Sequence, residues 1–136
     1  MNKRLKYCLI GGCGVPCLVV ICLIIGAYAI IEHFRYEHGL DYIGAKNKAH
    51  QSLQNGDFPE YVYWTKRVLF YTNDNRWTNL SEKLNEIAKA YELNNEQNQS
   101  QKIYEEIEEI DGLFSQGKVK EAKQRIIEVR LRVVNE

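Results

Sequence analysis

The chain has 136 residues, with 18 basic and 18 acidic side chains, four cysteines and two prolines, which leaves room for one small domain. That excludes a multi-domain enzyme, and a charge sum of zero argues against a dedicated nucleic-acid binder, whose phosphate contacts need a basic excess. The averages conceal a partition: residues 7–31 carry no charge, while the rest is rich in Glu, Lys, Asn and Gln.

Residues 1–6 form a basic flank with Lys3, Arg4 and Lys6. The 25 uncharged positions that follow, residues 7–31, reach about 37 Å as a helix at ~1.5 Å per residue, enough to cross the ~30 Å hydrocarbon layer with tilt. They predict a single-pass transmembrane signal-anchor helix, because lipid offers an irregular backbone no hydrogen-bond partners. Pro16 and the glycines are tolerated in such spans, and Pro16 predicts a kink.

Two processing signals compete with a retained anchor. Ala27-Tyr28-Ala29 has the small-x-small form of a signal-peptidase site, and cleavage there would release a secreted helical protein; the apolar run, however, is longer than the ~7–15 residues of a cleavable core. Ile10-Gly11-Gly12-Cys13 has the form of a lipoprotein box, but only Tyr7 to Ile10 precede it as apolar core. The positive-inside bias keeps the N-terminus cytoplasmic, since beyond the span Arg35 and Lys46 are diluted by Glu32, Glu37 and Asp41. Everything from Glu32 onward is then expected to be extracytoplasmic. Cys8, Cys13, Cys17 and Cys22 all fall inside the span, so the exported part has to rely on its core, without disulfides. Small side chains packing in lipid account for them; acylation of Cys8, or redox or metal chemistry at Cys13 and Cys17, is the alternative.

Residues 32–40 read as a juxtamembrane linker and 41–136 as an all-helical domain. Asp41 to Gln54 carries Tyr42, Ala45, Ala49 and Leu53 at helical intervals and stops at Asn55-Gly56. Asp57-Phe58-Pro59-Glu60 combines an N-cap, a first-turn proline and a capping-box glutamate, opening a helix to about Tyr71 whose core stripe is Tyr61, Trp64, Val68 and Tyr71. Thr72-Asn73-Asp74-Asn75 is a turn cluster. The helix from Arg76 to Leu93 places Leu80, Leu84, Ile87, Ala88 and Tyr91 on one face, and Asn94-Asn95 breaks it. The helix from Gln97 to Ser115 repeats the pattern with Ile103, Ile107, Ile110 and Phe114. The last, from Val119 to about Val134, has one stripe of Ala122, Ile126, Val129 and Val133 and a second of Ile127, Leu131 and Val134, which implies two contacts. Its basic side chains face the acidic run Glu105 to Asp111 of the preceding helix, so the pair should attract. Short turns predict antiparallel hairpins.

Two turn regions echo each other 61 residues apart: Gln54-Asn55-Gly56-Asp57-Phe58 and Gln116-Gly117-Lys118-Val119 with Ala122. Here the sequence resembles tetratricopeptide-repeat hairpins, whose turn carries Gly, a polar residue, an aromatic or aliphatic one, and Ala three positions later. Tyr61 stands where the first copy should have Ala, and the offset differs from the family's ~34 residues. The resemblance covers the two turns and implies a helical scaffold that binds protein partners.

No Ser/His/Asp or Cys/His arrangement can be assembled, and Gly11-Gly12-Cys13-Gly14 lacks the Lys-Ser/Thr of a phosphate loop. The chain is therefore expected to be no enzyme and to need no cofactor. Aromatic residues crowd positions 58–77, and Tyr63, Trp64 and Phe70, with the second stripe Ile127, Leu131 and Val134, are the candidate partner-binding residues. The expected partners are the lipid bilayer and other proteins of a membrane complex, or a second copy; nucleic acid is not among them. The alternative function is a membrane-proximal metal or pH sensor built on His33, Glu37 and His38, where His33 and Glu37 stand at i, i+4.

Overall fold

The computed structural model describes residues 14–136. The basic flank, Cys8, Cys13 and the Ile10 to Cys13 box lie outside the described residues. The described chain is all-helical: α1 Gly14–Glu37, α2 Tyr42–Gln54, α3 Phe58–Tyr71, α4 Trp77–Leu93, α5 Gln97–Ser115 and α6 Val119–Asn135.

Helix α1 is long and apolar enough to cross a membrane and buries none of its residues against the rest of the chain. It does not end with the apolar run. It continues through Glu37, so most of residues 32–40 are helical: nothing from Glu32 to His38 breaks a helix, and the pairs Glu32–Arg35 (3.3 Å) and His33–Glu37 (3.1 Å) support its last turns. Between α1 and α2 only residues 38–41 lie outside helices.

That short joint is tightly built. Gly39 has φ +65°, its N–H donates to Tyr36 O (3.1 Å), and the Leu40 N–H donates to Arg35 O (2.7 Å), which closes α1. Two residues later Asp41 caps α2 by accepting the Gly44 N–H (2.7 Å). Gly44 lies so close to the Tyr36 carbonyl that a Cβ there would come within 2.4 Å of the oxygen.

The same hydrogen-bond pattern reverses the chain three more times. At Gly56 (φ +70°), Gly56 and Asp57 donate to Leu53 O and Ser52 O; at Gly117 (φ +74°), Gly117 and Lys118 donate to Phe114 O and Leu113 O. At Asn95 (φ +60°), Asn95 and Glu96 donate to Glu92 O and Tyr91 O. Asn94-Asn95, legible in the sequence only as a break, is thus the same turn with asparagine in the left-handed position that glycine fills elsewhere. At the α3 start Asp57 caps the Glu60 N–H (3.3 Å), as expected. The reciprocal half of the capping box is absent, because the Asp57 N–H is taken by Ser52 O and the Glu60 carboxylate accepts the Trp64 indole N–H (2.9 Å).

Helices α3, α4, α5 and α6 close a ring of contacts, α3 against α4, α4 against α5, α5 against α6 and α6 back onto α3, while α2 packs on the far side of α3. The core draws Leu69 from α3, Leu80, Leu84 and Ile87 from α4, Ile103 and Ile110 from α5, and Val129 and Val133 from α6. Each fully buried Leu or Ile contributes about 1.5–3 kcal/mol relative to exposure. The predicted α4 face, Leu80, Leu84, Ile87, Ala88 and Tyr91, is buried as a set. On α3 the buried residues are Val62, Thr65, Val68 and Leu69, whereas Tyr61, Trp64 and Tyr71 are only half-buried, because α3 is covered from two sides, by α2 and by the bundle.

Helices α4 and α5 run antiparallel: the Trp77 indole N–H donates to Asp111 (2.6 Å) at one end, and the Ser100 hydroxyl donates to Glu92 (3.1 Å) at the other. The expected attraction between acidic α5 and basic α6 is present as named pairs. Buried Glu106 meets Arg132 and Arg125 (3.7 Å), Arg125 also reaches Glu109 (3.1 Å), and Lys102 lies 3.7 Å from Glu136. A buried carboxylate is tolerated because it is paired. Arg130 of α6 closes the ring, donating to Leu69 O (3.1 Å), Thr72 O (2.5 Å) and Asn75 Oδ1 (2.7 Å), and so pins the end of α3 and the extended segment 72–76.

Candidate functional site

Two surfaces collect the predicted partner-binding residues. On α6, Ala122, Val129 and Val133 are buried while Ile127 and Leu131, one turn apart, are 54% and 59% exposed. The predicted second stripe therefore loses one member. Val134 is half-buried and packs against the core, because α6 wraps toward α5 at its end, where Glu136 meets Lys102. Ile127 forms one lip of a groove floored by Leu80 and Ile126, with Lys123 and Arg130 on its rim. Beside it, the Arg76 guanidinium grips the Asp74 carboxylate (2.6 Å) and holds its pKa down to about 2 through the direct hydrogen bond.

On α3, Tyr63 and Phe70 are 46% and 50% exposed. Arg67 lies between them, its guanidinium 5.3 Å and 5.7 Å from the two ring centroids and its Nε donating to the Tyr63 hydroxyl (3.1 Å). The stack pre-orders three long side chains into one rigid strip. Trp64 meets the strip only edge-on at Tyr63 (4.9 Å between centroids): its ring covers Gly39, where a Cβ would come within 2.4 Å of Cζ3, and its indole is tethered to Glu60. This predicted residue is thus part of the joint between α1 and α2.

Helix α1 brings together only part of the third candidate set. His33 Nε2 is 3.1 Å from Glu37, but the His38 ring stacks on Phe34 (4.0 Å between centroids) and its Nδ1 is 3.0 Å from Phe34 O. Among the described residues no three His, Cys, Asp or Glu side chains are grouped as a metal ion would need. Cys17 and Cys22 stand exposed along α1.

Three features of the structure carry little or no signal in the sequence. Arg130 looked like one basic side chain among several, and no local signal marks a bond to residues 58 and 61 positions away. Glu106 belongs to the acidic run of α5, and nothing local marks it as the buried member. Ile43, 66% exposed, sits beside the Tyr42, Ala45, Ala49 face of α2 but off it, and that offset was the available clue. No protein-family model, curated protein or solved structure matches the chain.

Proposed function

We propose that this chain is a single-pass membrane-anchored helical adaptor, an accessory subunit that displays a small bundle to other proteins of a membrane complex. The anchor is α1 together with the uncharged residues before it. The basic flank holds the N-terminus in the cytoplasm and the bundle is extracytoplasmic. Hairpins closed by Gly56, Asn95 and Gly117 support a tetratricopeptide-like scaffold. The reading assigns the chain no catalytic activity and no cofactor.

The observation that carries this reading is the outward stripe of α6. Ile127 and Leu131 are large, apolar and water-exposed on a helix whose opposite face is already in the core, which costs about 1.5–3 kcal/mol per side chain until something covers them. Photo-crosslinking in native membranes from the exposed positions 123 and 124, one turn before Ile127 on the same helix, should yield a discrete adduct. The pair Ile127→Asp and Leu131→Asp should abolish it with the thermal unfolding of the bundle unchanged. Adducts that survive the double substitution would remove α6 from the reading.

A further inference from the structure

The apolar surface is not confined to α6. Leu40 at the joint, Ile43 on α2 and Phe70 on α3 are all exposed, and Ile43 and Phe70 line one shallow hollow together with Arg35 of α1. That shared hollow keeps them close to Arg35 at the end of α1. Arg35 stands four residues beyond Ile31, the last residue of the uncharged run, which is about 6 Å along a helix. The headgroup layer on each side of a bilayer is about 5–7 Å deep. If α1 spans, Ile43 and Phe70 are held near headgroup depth by the packing of α2 and α3 around the end of α1.

The joint makes this placement firm. Residues 38–41 are clamped by the Gly39, Leu40 and Gly44 hydrogen bonds, Gly44 rests on the Tyr36 carbonyl, and the Trp64 ring seals Gly39 from the α3 side. The first hairpin therefore cannot swing freely away from the end of α1. The side-chain chemistry is that of an interface: exposed Phe34 and Tyr36 place aromatic rings at the end of α1, and the guanidiniums of Arg35, paired at the surface with Glu32, and of Arg67 flank the apolar patch, where they can reach phosphates while Ile43 and Phe70 point into the acyl boundary. The one carboxylate of the hollow, Asp41, is engaged in capping α2.

The geometry points to a second membrane contact: Leu40, Ile43 and Phe70 form an apolar footprint that enters the headgroup layer beside the span, so the α2–α3 hairpin lies on the bilayer and the bundle is presented from above it. This rests on the anchor reading, and it gives Phe70 to lipid while leaving Ile127 and Leu131 free for protein.

The test is spin-label accessibility on the full chain in phosphatidylcholine vesicles. Cys8, Cys13, Cys17 and Cys22 are replaced by Ala, and single labels are placed through Ile24→Cys, Ile43→Cys, Phe70→Cys and Leu131→Cys. Labels at 43 and 70 should be severalfold more accessible to oxygen than to a water-soluble nickel chelate, approaching the label at 24, while the label at 131 shows the reverse. If 24 is oxygen-rich and 43 and 70 behave like 131, the footprint is refuted and the anchor stands. If 24 is itself open to nickel, the anchor reading fails and takes the footprint with it. Shielding of 43 and 70 from both probes, appearing only at high protein-to-lipid ratio, would assign the patch to a second copy and overturn the lipid assignment.

Discussion

Gly39→Ala perturbs the joint on which both the proposed anchored display and the proposed bilayer footprint depend, and the protein contains its own controls. At Gly39 the backbone is left-handed (φ +65°) and a Cβ would stand 2.4 Å from Trp64 Cζ3 and 2.8 Å from Cη2. Gly56 and Gly117 share the backbone conformation (φ +70° and +74°) with nothing within 4 Å of the added atom. All three Gly→Ala changes thus carry the left-handed term, about 1–2 kcal/mol. Gly39→Ala adds overpacking of about 1–3 kcal/mol, because the indole has to retreat about 1 Å to reach ordinary contact and strains its bond to Glu60. The total is about 2–5 kcal/mol, and the excess over Gly56→Ala isolates the steric part. Urea unfolding in detergent micelles followed by circular dichroism reads the global cost. Amide exchange at Leu40 and Gly44, whose N–H groups bond to Arg35 O and Asp41, reads opening of the joint alone. Equal losses for Gly39→Ala, Gly56→Ala and Gly117→Ala by both measures would refute the sealed joint.

Arg130→Ala should cost about 2–3 kcal/mol in the same unfolding assay, since it strips three charge-assisted bonds from a partly buried chain end, and Arg130→Lys should recover less than half because an ammonium cannot span the three acceptors. Glu106→Ala should cost about 2–3 kcal/mol, below the 3–5 kcal/mol of a fully buried pair because the Arg125 side chain keeps a third of its surface in water; replacing Glu106 and Arg132 together by Leu should restore most of it, and additive losses would deny the coupling. The Asp74 carboxyl, depressed to about 2 by Arg76, should titrate there by carbon NMR and return to the ordinary range of about 4 in Arg76→Ala. A depressed carboxyl stabilises the fold above its unfolded pKa and loses that contribution as pH falls through the folded value, so the Asp74 share should disappear between about pH 4 and 2.

The helices were legible because their signals are local. Asp41 and Asp57 as caps, Gly56 and Gly117 as stops, and the period of Leu80, Leu84 and Ile87 act within one or two turns of where they stand, and α2 to α6 fall within a residue or two of expectation, whereas α1 runs on to Glu37. So was the uncharged run, whose composition alone makes α1 long and apolar enough to span. The candidate surface was only partly legible. Tyr63, Phe70, Ile127 and Leu131 are exposed as amphipathic spacing suggested, but Trp64 seals a glycine and Val134 turns to the core, because exposure depends on which helix arrives next to each face.

The amino-acid order by itself determined the helices, their caps and turns, the uncharged segment and the charge opposition of α5 and α6, since each follows from side chains close along the chain. Only the tertiary structure decided that α6 folds back to tie α3 through Arg130, that Glu106 is buried between two arginines, and that Ile43 and Phe70 share a hollow with Arg35. Those facts join residues tens of positions apart, and no periodicity within a single helix can specify a distance between two of them.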